Sequence, residues 1–171
     1  MKKALNIIIL VMIMFQISCG KSNVTTANNS EEYTVKYVSD GDTIRVINNK
    51  TGAKVKIRLY GIDAPEITQE YGLESKEHLM SLIKDKSIIV KGNTYDKYGR
   101  LLGTIYINNT NVNESMVNSG NAWWYEKFDP KNTKIRDMQI KAKESKLGLW
   151  KNVNAIAPEE YRKNQKNKNK K

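Results

Sequence analysis

Three short runs, YTVKYV, TIRVI and KVKIRLYGI, follow one another between residues 33 and 62 with only a few residues between them, and this crowding restricts the fold more than any other feature. In the third run Val55, Ile57 and Leu59 alternate with Lys54, Lys56 and Arg58, the period of two that gives a strand one apolar and one polar face. Arg58 therefore lies on the face opposite the apolar one. Between the first two runs stands Asp40-Gly41, a common chain-reversing pair. That reading accounts for two residues of DGDT and leaves the second acid, Asp42, without a structural task.

Downstream the period changes. From Gln69 to Lys86, Leu73, Glu77 and Met80, with Leu79, Leu82 and Ile83, mark an amphipathic helix. SIIVKGNTY and RLLGTIYIN predict two further strands around the turn Asp96-Lys97-Tyr98-Gly99. Asn111 caps a predicted short helix carrying Val112, Met116 and Val117 and closed by Gly120. A third helix over residues 132–147 places Ile135, Met138 and Ala142 on one stripe, with Gly148 at its end. Five strands with a helix after the third and two more helices at the end predict a mainly β, α+β fold: a five-stranded β-barrel of the OB kind with three packed helices.

The ends differ from this middle. MKKALNIIILVMIMFQISCG places two lysines before a short apolar run and small residues, the layout of an export signal rather than a spanning helix, and predicts export from a bacterial cytoplasm. Cys19, the only cysteine, sits where a bacterial lipoprotein signal carries its lipid-bearing cysteine, so a membrane anchor is expected there. Gln16, where an aliphatic residue is usual, leaves cleavage after Gly20 and a secreted product as the alternative. With one cysteine no intramolecular disulfide can form, and packing must supply the stability. The expected organisation is a signal over 1–19, a polar linker over 20–32, one domain over 33–150 and a basic tail over 151–171.

The formal charge of +11 is unevenly placed. Without Lys2, Lys3 and the six basic residues of YRKNQKNKNKK it falls to +3 for residues 19–160. The tail is expected to be solvated and disordered, adding a salt-sensitive, sequence-blind attraction to polyanions.

Charged residues that a core would not use concentrate in DGDT (40–43), RLYGIDAPE (58–66), DKYGR (96–100) and AWWYEKFDP (122–130), each at a strand end or in a loop. Asp42, Asp63 and Glu66 offer hard oxygen ligands for a cation such as Ca²⁺ and a carboxylate to handle water, while Arg58 and Arg100 offer planar forks suited to phosphate oxygens. His78, the only histidine, is expected on a helix surface. One histidine and one cysteine exclude a Cys/His zinc site and a Cys-His nucleophile pair.

In this order and spacing, DGDT, RLYGIDAPE and DKYGR make the chain resemble the staphylococcal-nuclease-like (thermonuclease) family over about residues 33–150. The resemblance implies a Ca²⁺-dependent endonuclease that hydrolyses DNA and RNA with little sequence choice and leaves 3′-phosphate ends. It implies Asp42, Asp63 and the backbone carbonyl of Ala64 as calcium ligands, with Thr43 beside the metal; Ala64 stands where the best-known member has Thr. Glu66 would orient or deprotonate the attacking water, and Arg58 and Arg100 would neutralise charge at phosphorus. Lys97 and Tyr98 match positions that touch a terminal phosphate. Trp124 and Tyr125, in the run with Trp123 and Phe128, lie in the region where the family stacks a base; for the Trp pair, core packing against the last helix is an equal alternative. A nucleic-acid-binding module of the same fold is the alternative class; the persistence of the carboxylates and both arginines favours an enzyme, with a monomer as the default.

Overall fold

The computed structural model describes residues 30–169. The export signal, Cys19 and residues 20–29 of the linker lie outside the described residues. Strands β1 (Ser30–Asp40), β2 (Thr43–Asn48) and β3 (Lys54–Leu59) form an antiparallel meander, followed by the short β4 (Ile62–Asp63) and helix α1 (Gly72–Ile83). Strands β5 (Ser87–Tyr95) and β6 (Leu101–Ile107) form a second antiparallel pair. The chain then runs through β7 (Thr110–Asn111), α2 (Val112–Asn118), β8 (Trp123–Trp124), α3 (Thr133–Glu144), a 3-10 turn (Gly148–Lys151) and α4 (Pro158–Lys168).

The strands are neighbours in the order β3-β2-β1-β5-β6, and a parallel pairing of β3 with β6 closes them into the five-stranded barrel expected for an OB fold. Closure removes the open edges that a curled sheet would otherwise expose. Alternation fills the barrel: Ile44 and Val46 on β2, Ile57 and Leu59 on β3, Ile88 and Val90 on β5, and Leu101 and Ile105 on β6 are all buried. Leu79 and Ile83 of α1 and Val112, Met116 and Val117 of α2 extend the same core. Asn113 of α2 fastens the closing seam, its amide donating to the carbonyls of Tyr60 and Gly103 while its oxygen accepts from Ile105 N–H.

Three expectations change. β1 starts at Ser30, inside the segment read as linker, because residues 30–34 pair with β5 while residues 33–40 pair with β2. The two pairings overlap only at Tyr33 and Thr34, so β1 runs longer than either of them. The segment read as a disordered tail contains a fourth helix, α4. Pro158 opens it, Glu159 and Glu160 occupy its first turn, and Lys166 and Lys168 its last, the arrangement that suits the helix dipole. Pro158, Tyr161, Arg162 and Gln165, at helical spacing, are its less exposed positions.

His78 is half-buried rather than on the surface, with Nε2 3.1 Å from Ser119 Oγ between α1 and the end of α2. Burial holds its imidazole below the ordinary histidine range. The unfolded chain therefore takes up a proton at higher pH than the folded one, so this residue's contribution to stability is present above the unfolded pKa of about 6.5 and is lost as pH falls below it through the lower folded value. Urea midpoints measured from about pH 7.5 to about pH 5 are expected to fall more steeply for the wild type than for His78→Gln. Parallel profiles would remove this contribution.

Candidate active site

The site begins at the β1–β2 corner. Asp40 pairs with Thr43, so the two corner residues are Gly41 and Asp42, not Asp40-Gly41 as the sequence suggests. Asp40 Oδ1 accepts the Asp42 N–H at 3.0 Å. Gly41 does not adopt a left-handed backbone; its requirement is space. A Cβ there would lie 1.9 Å from Ser75 Oγ and 2.7 Å from Ala64 Cβ, so the corner is pressed against α1 and the loop after β4. That approach delivers the Asp42 carboxylate to the loop. Its Oδ2 accepts Ala64 N–H at 2.7 Å and its Oδ1 accepts the Thr43 hydroxyl at 3.0 Å.

The second segment is positioned by β4, in which Asp63 pairs with Trp123 of β8. After Pro65 the chain folds back, with Gln69 N–H donating to the Glu66 carbonyl at 2.8 Å and Gln69 Oε1 accepting Glu66 N–H at 3.2 Å. Gly72 allows this return, since a Cβ there would lie 1.9 Å from the Glu66 carbonyl oxygen. Glu66 is thereby fixed at the rim through its backbone while its carboxylate remains partly exposed.

Arg58 joins the two segments. Its Nη1 donates to the carbonyls of Leu59 (2.9 Å) and Ile62 (2.8 Å), and its Nη2 reaches Asp63 Oδ1 at 2.8 Å and Asp42 Oδ2 at 3.1 Å. Asp42 and Asp63 are only 6% and 2% exposed. Burial, reinforced by the charge of Asp42, raises the Asp63 pKa, and a hydrogen bond from Arg162 and the charges of Arg58 and Arg162 oppose the rise. Asp40 is pushed up to about 7 by burial and then by the charge of Asp42. The sequence reading assigned Asp40 only to a turn; its proximity to a second buried acid is a property of the corner.

The DKYGR turn is organised by its own acid. Asp96 accepts the N–H groups of Tyr98 and Arg100 on Oδ1 and Arg100 Nε on Oδ2 at 2.7 Å. Burial would raise its pKa, and these hydrogen bonds outweigh that and hold it below the usual range. Arg100 immediately precedes Leu101, which pairs with Ile57, so it enters beside the strand that bears Arg58. Its polar contacts among the described residues stay within the turn and do not include Asp42, Asp63 or Glu66. Lys97 and Arg100 lie over the Tyr98 ring at 5.1 and 5.5 Å, and Tyr98 is 72% exposed.

In the aromatic run, Trp124 packs on the core and donates its indole N–H to the Asp129 carbonyl at 3.1 Å. Trp123 packs edge-on against Trp150, with centroids 4.3 Å apart. Tyr125 packs on Phe128, and burial and then the charge of Asp63 raise its phenol pKa.

One further residue enters that the sequence reading did not single out. Arg162 of α4 donates from Nη2 to Asp63 Oδ2 (2.8 Å) and from Nη1 to Glu66 Oε1 (2.8 Å) and Asp63 Oδ1 (3.2 Å). Its only sequence signal was its place on the inward spacing of a short polar helix.

Among the described residues no group of three His, Cys, Asp or Glu side chains forms a ready-made metal cluster. The donors that do converge are hard oxygens: the Asp42 and Asp63 carboxylates, with the Thr43 hydroxyl beside them and Glu66 at the rim. A guanidinium already bridges Asp63 and Glu66, so the pocket favours positive charge at that position. This donor set fits a hard divalent ion of the Ca²⁺ class completed by carbonyl and water oxygens.

Because Gly41 holds Asp42 against Ala64, Gly41→Ala is expected to destabilise the fold by about 1–3 kcal/mol through overpacking, and to impair activity beyond the unfolded fraction by displacing Asp42. A urea midpoint and specific activity both unchanged from wild type would show that the corner is not under this constraint.

A family model described as "Staphylococcal nuclease homologue" matches residues 56–152, more than half of the chain. An "Uncharacterized endonuclease" of Escherichia coli O157:H7 is 39% identical over 122 residues, covering 71% of this chain and 78% of that protein. A "Micrococcal nuclease" of Shigella flexneri is 34% identical over 140 residues, covering 76% and 79%. "Staphylococcal-like nuclease CAN1" of Arabidopsis thaliana is 38% identical over 116 residues, covering 68% of this chain and 36% of its own length. With the OB barrel and the convergence of DGDT and RLYGIDAPE, these matches place the chain in the staphylococcal nuclease family.

Proposed function

We propose that the protein is an exported, Ca²⁺-dependent endonuclease that hydrolyses phosphodiester bonds in DNA and RNA with little sequence preference and leaves 3′-phosphate ends. The observation that carries this reading is the buried Asp42–Asp63 pair bracketed by Arg58, with Glu66 at its open edge. The names of the relatives, endonuclease and micrococcal nuclease, support the same class. Asp42, Asp63 and the Ala64 carbonyl would hold the ion, with Thr43 beside it. When bound, it supplies Lewis-acid stabilisation of phosphoryl oxygens.

The remaining work falls to the side chains. Glu66, fixed through its backbone and open to solvent, orients a water and accepts its proton. Arg58 and Arg100 oppose the charge that accumulates on the phosphoryl oxygens, with Arg100 on the leaving-group side. Lys97 and Tyr98, on an exposed turn, hold a terminal phosphate, and Trp124 and Tyr125 form the side toward which a base lies. Cys19 provides the membrane anchor of a monomer, or the signal is cleaved and the protein is secreted.

The test is cleavage of single-stranded DNA and of RNA with Ca²⁺ and with chelator, for wild type, Glu66→Gln and Arg100→Ala. Calcium-dependent cutting is expected, with kcat reduced about 10²- to 10⁴-fold in each variant and substrate affinity changed only a few-fold. Binding without cutting under every divalent ion tried would replace the enzyme with a nucleic-acid-binding module.

A further inference from the structure

We infer that α4 is an intramolecular plug: Arg162 occupies the cation position at Asp63 and Glu66, and a divalent ion must displace it to load the site. The inference goes beyond the proposed nuclease activity and rests on it only in requiring that these carboxylates face a divalent ion.

The geometry is specific. Arg162 engages both oxygens of Asp63 and one of Glu66, at 2.8 to 3.2 Å, in a fork that no lysine could reproduce. A divalent ion needs the same Asp63 lone pairs, and two cations on one buried carboxylate repel each other in a medium of low dielectric. Arg58 also reaches Asp63 Oδ1 and Asp42 Oδ2, but two of its four contacts, to the carbonyls of Leu59 and Ile62, anchor it to the barrel, and it leaves Asp63 Oδ2 to Arg162. Arg162 arrives on a separate element.

That element is held in a manner suited to release. Residues 152–162 strap over the loop that carries Glu66: Asn152 donates to Glu70, Gln69 donates to the Ile156 carbonyl at 2.7 Å, and the Tyr161 hydroxyl donates to the Thr68 carbonyl at 2.9 Å. Lys127 pairs with Glu159 at 2.9 Å on the exposed side. These bonds are solvent-accessible, and Pro158 is the only fully buried residue of α4. A cavity of about 230 Å³ remains between the strap and Pro65, Tyr71 and Leu149. Polar, exposed contacts over an incompletely filled space give an element that opens well below the free energy of global unfolding. Release also exposes Arg162 beside Lys163 and Lys166, so the same movement that frees the carboxylates adds positive charge at the mouth of the site.

The test is calcium binding by titration calorimetry on the full-length protein, with hydrogen exchange of residues 158–168 followed in parallel. Arg162→Ala is expected to bind Ca²⁺ about tenfold more tightly than wild type, the scale of one charge-assisted contact removed from a half-exposed partner. Tyr161→Phe, which loosens the strap without touching a carboxylate, is expected to shift affinity in the same direction by a smaller factor. In wild type, saturating Ca²⁺ is expected to lower the protection of α4. Equal or weaker Ca²⁺ binding by Arg162→Ala, or α4 protection that Ca²⁺ leaves unchanged, overturns the plug while leaving the nuclease reading intact. Absence of Ca²⁺ binding in wild type and both variants overturns the plug and the calcium assignment together.

Discussion

Two carboxylates from separate parts of the chain, Asp42 at a hairpin corner and Asp63 after the third strand, are buried side by side, and the organisation of the site follows from keeping that pair charged. Removing such groups from water carries a penalty of several kcal/mol each unless opposite charge and hydrogen bonds replace the lost hydration. Arg58 supplies the charge to both, Ala64 N–H and the Thr43 hydroxyl supply hydrogen bonds to Asp42, and Arg162 supplies a second fork to Asp63. Burial still pulls the pKa values of Asp63 and Asp40 upward against these partners, as expected where compensation is incomplete. An incompletely neutralised group of buried acids is suited to attracting a further cation.

Barrel closure is what makes the arrangement rigid. Arg58 sits on the strand that pairs in parallel with β6, and Asn113 ties that seam from the helical side with three hydrogen bonds. The corner bearing Asp42 is seated by the absence of a side chain at Gly41, and the return loop bearing Glu66 by the absence of one at Gly72. Geometry of this kind is fixed by packing before any ligand arrives. The DKYGR turn and α4 are different in character: both present arginines on elements secured by partly exposed bonds, local within the turn and long-range for α4.

The legibility of these parts in the sequence followed the range of the interactions behind them. Alternation in KVKIRL and the stripes of α1 to α3 come from burial of one face, a local pattern, and the barrel and three helices were readable from it. The placement of Asp42 next to Asp63 was suggested by the motifs and is realised in the fold, although the corner turned out to be Gly41-Asp42. Glycine there meets a steric demand made by Ala64 and Ser75, residues distant in sequence, which a turn propensity does not encode. His78 looked like a surface residue because nothing in its helix indicated that Ser119 would pack on it.

The C-terminal segment marks the boundary most clearly. Its composition, almost wholly polar and basic, argues for a solvated tail, and yet Pro158, the acids of the first turn and the lysines of the last form a helix once Tyr161 and Arg162 have partners to bind. By itself the sequence determined the strand and helix periods and the set of acids and arginines from which the site is drawn. Only the tertiary structure decided which of those charges share one low-dielectric space, that Asp40 joins them, and that an arginine from the last helix bonds to Asp63 and Glu66. Charge compensation acts through space between elements far apart in the chain, and neither period nor composition records that distance.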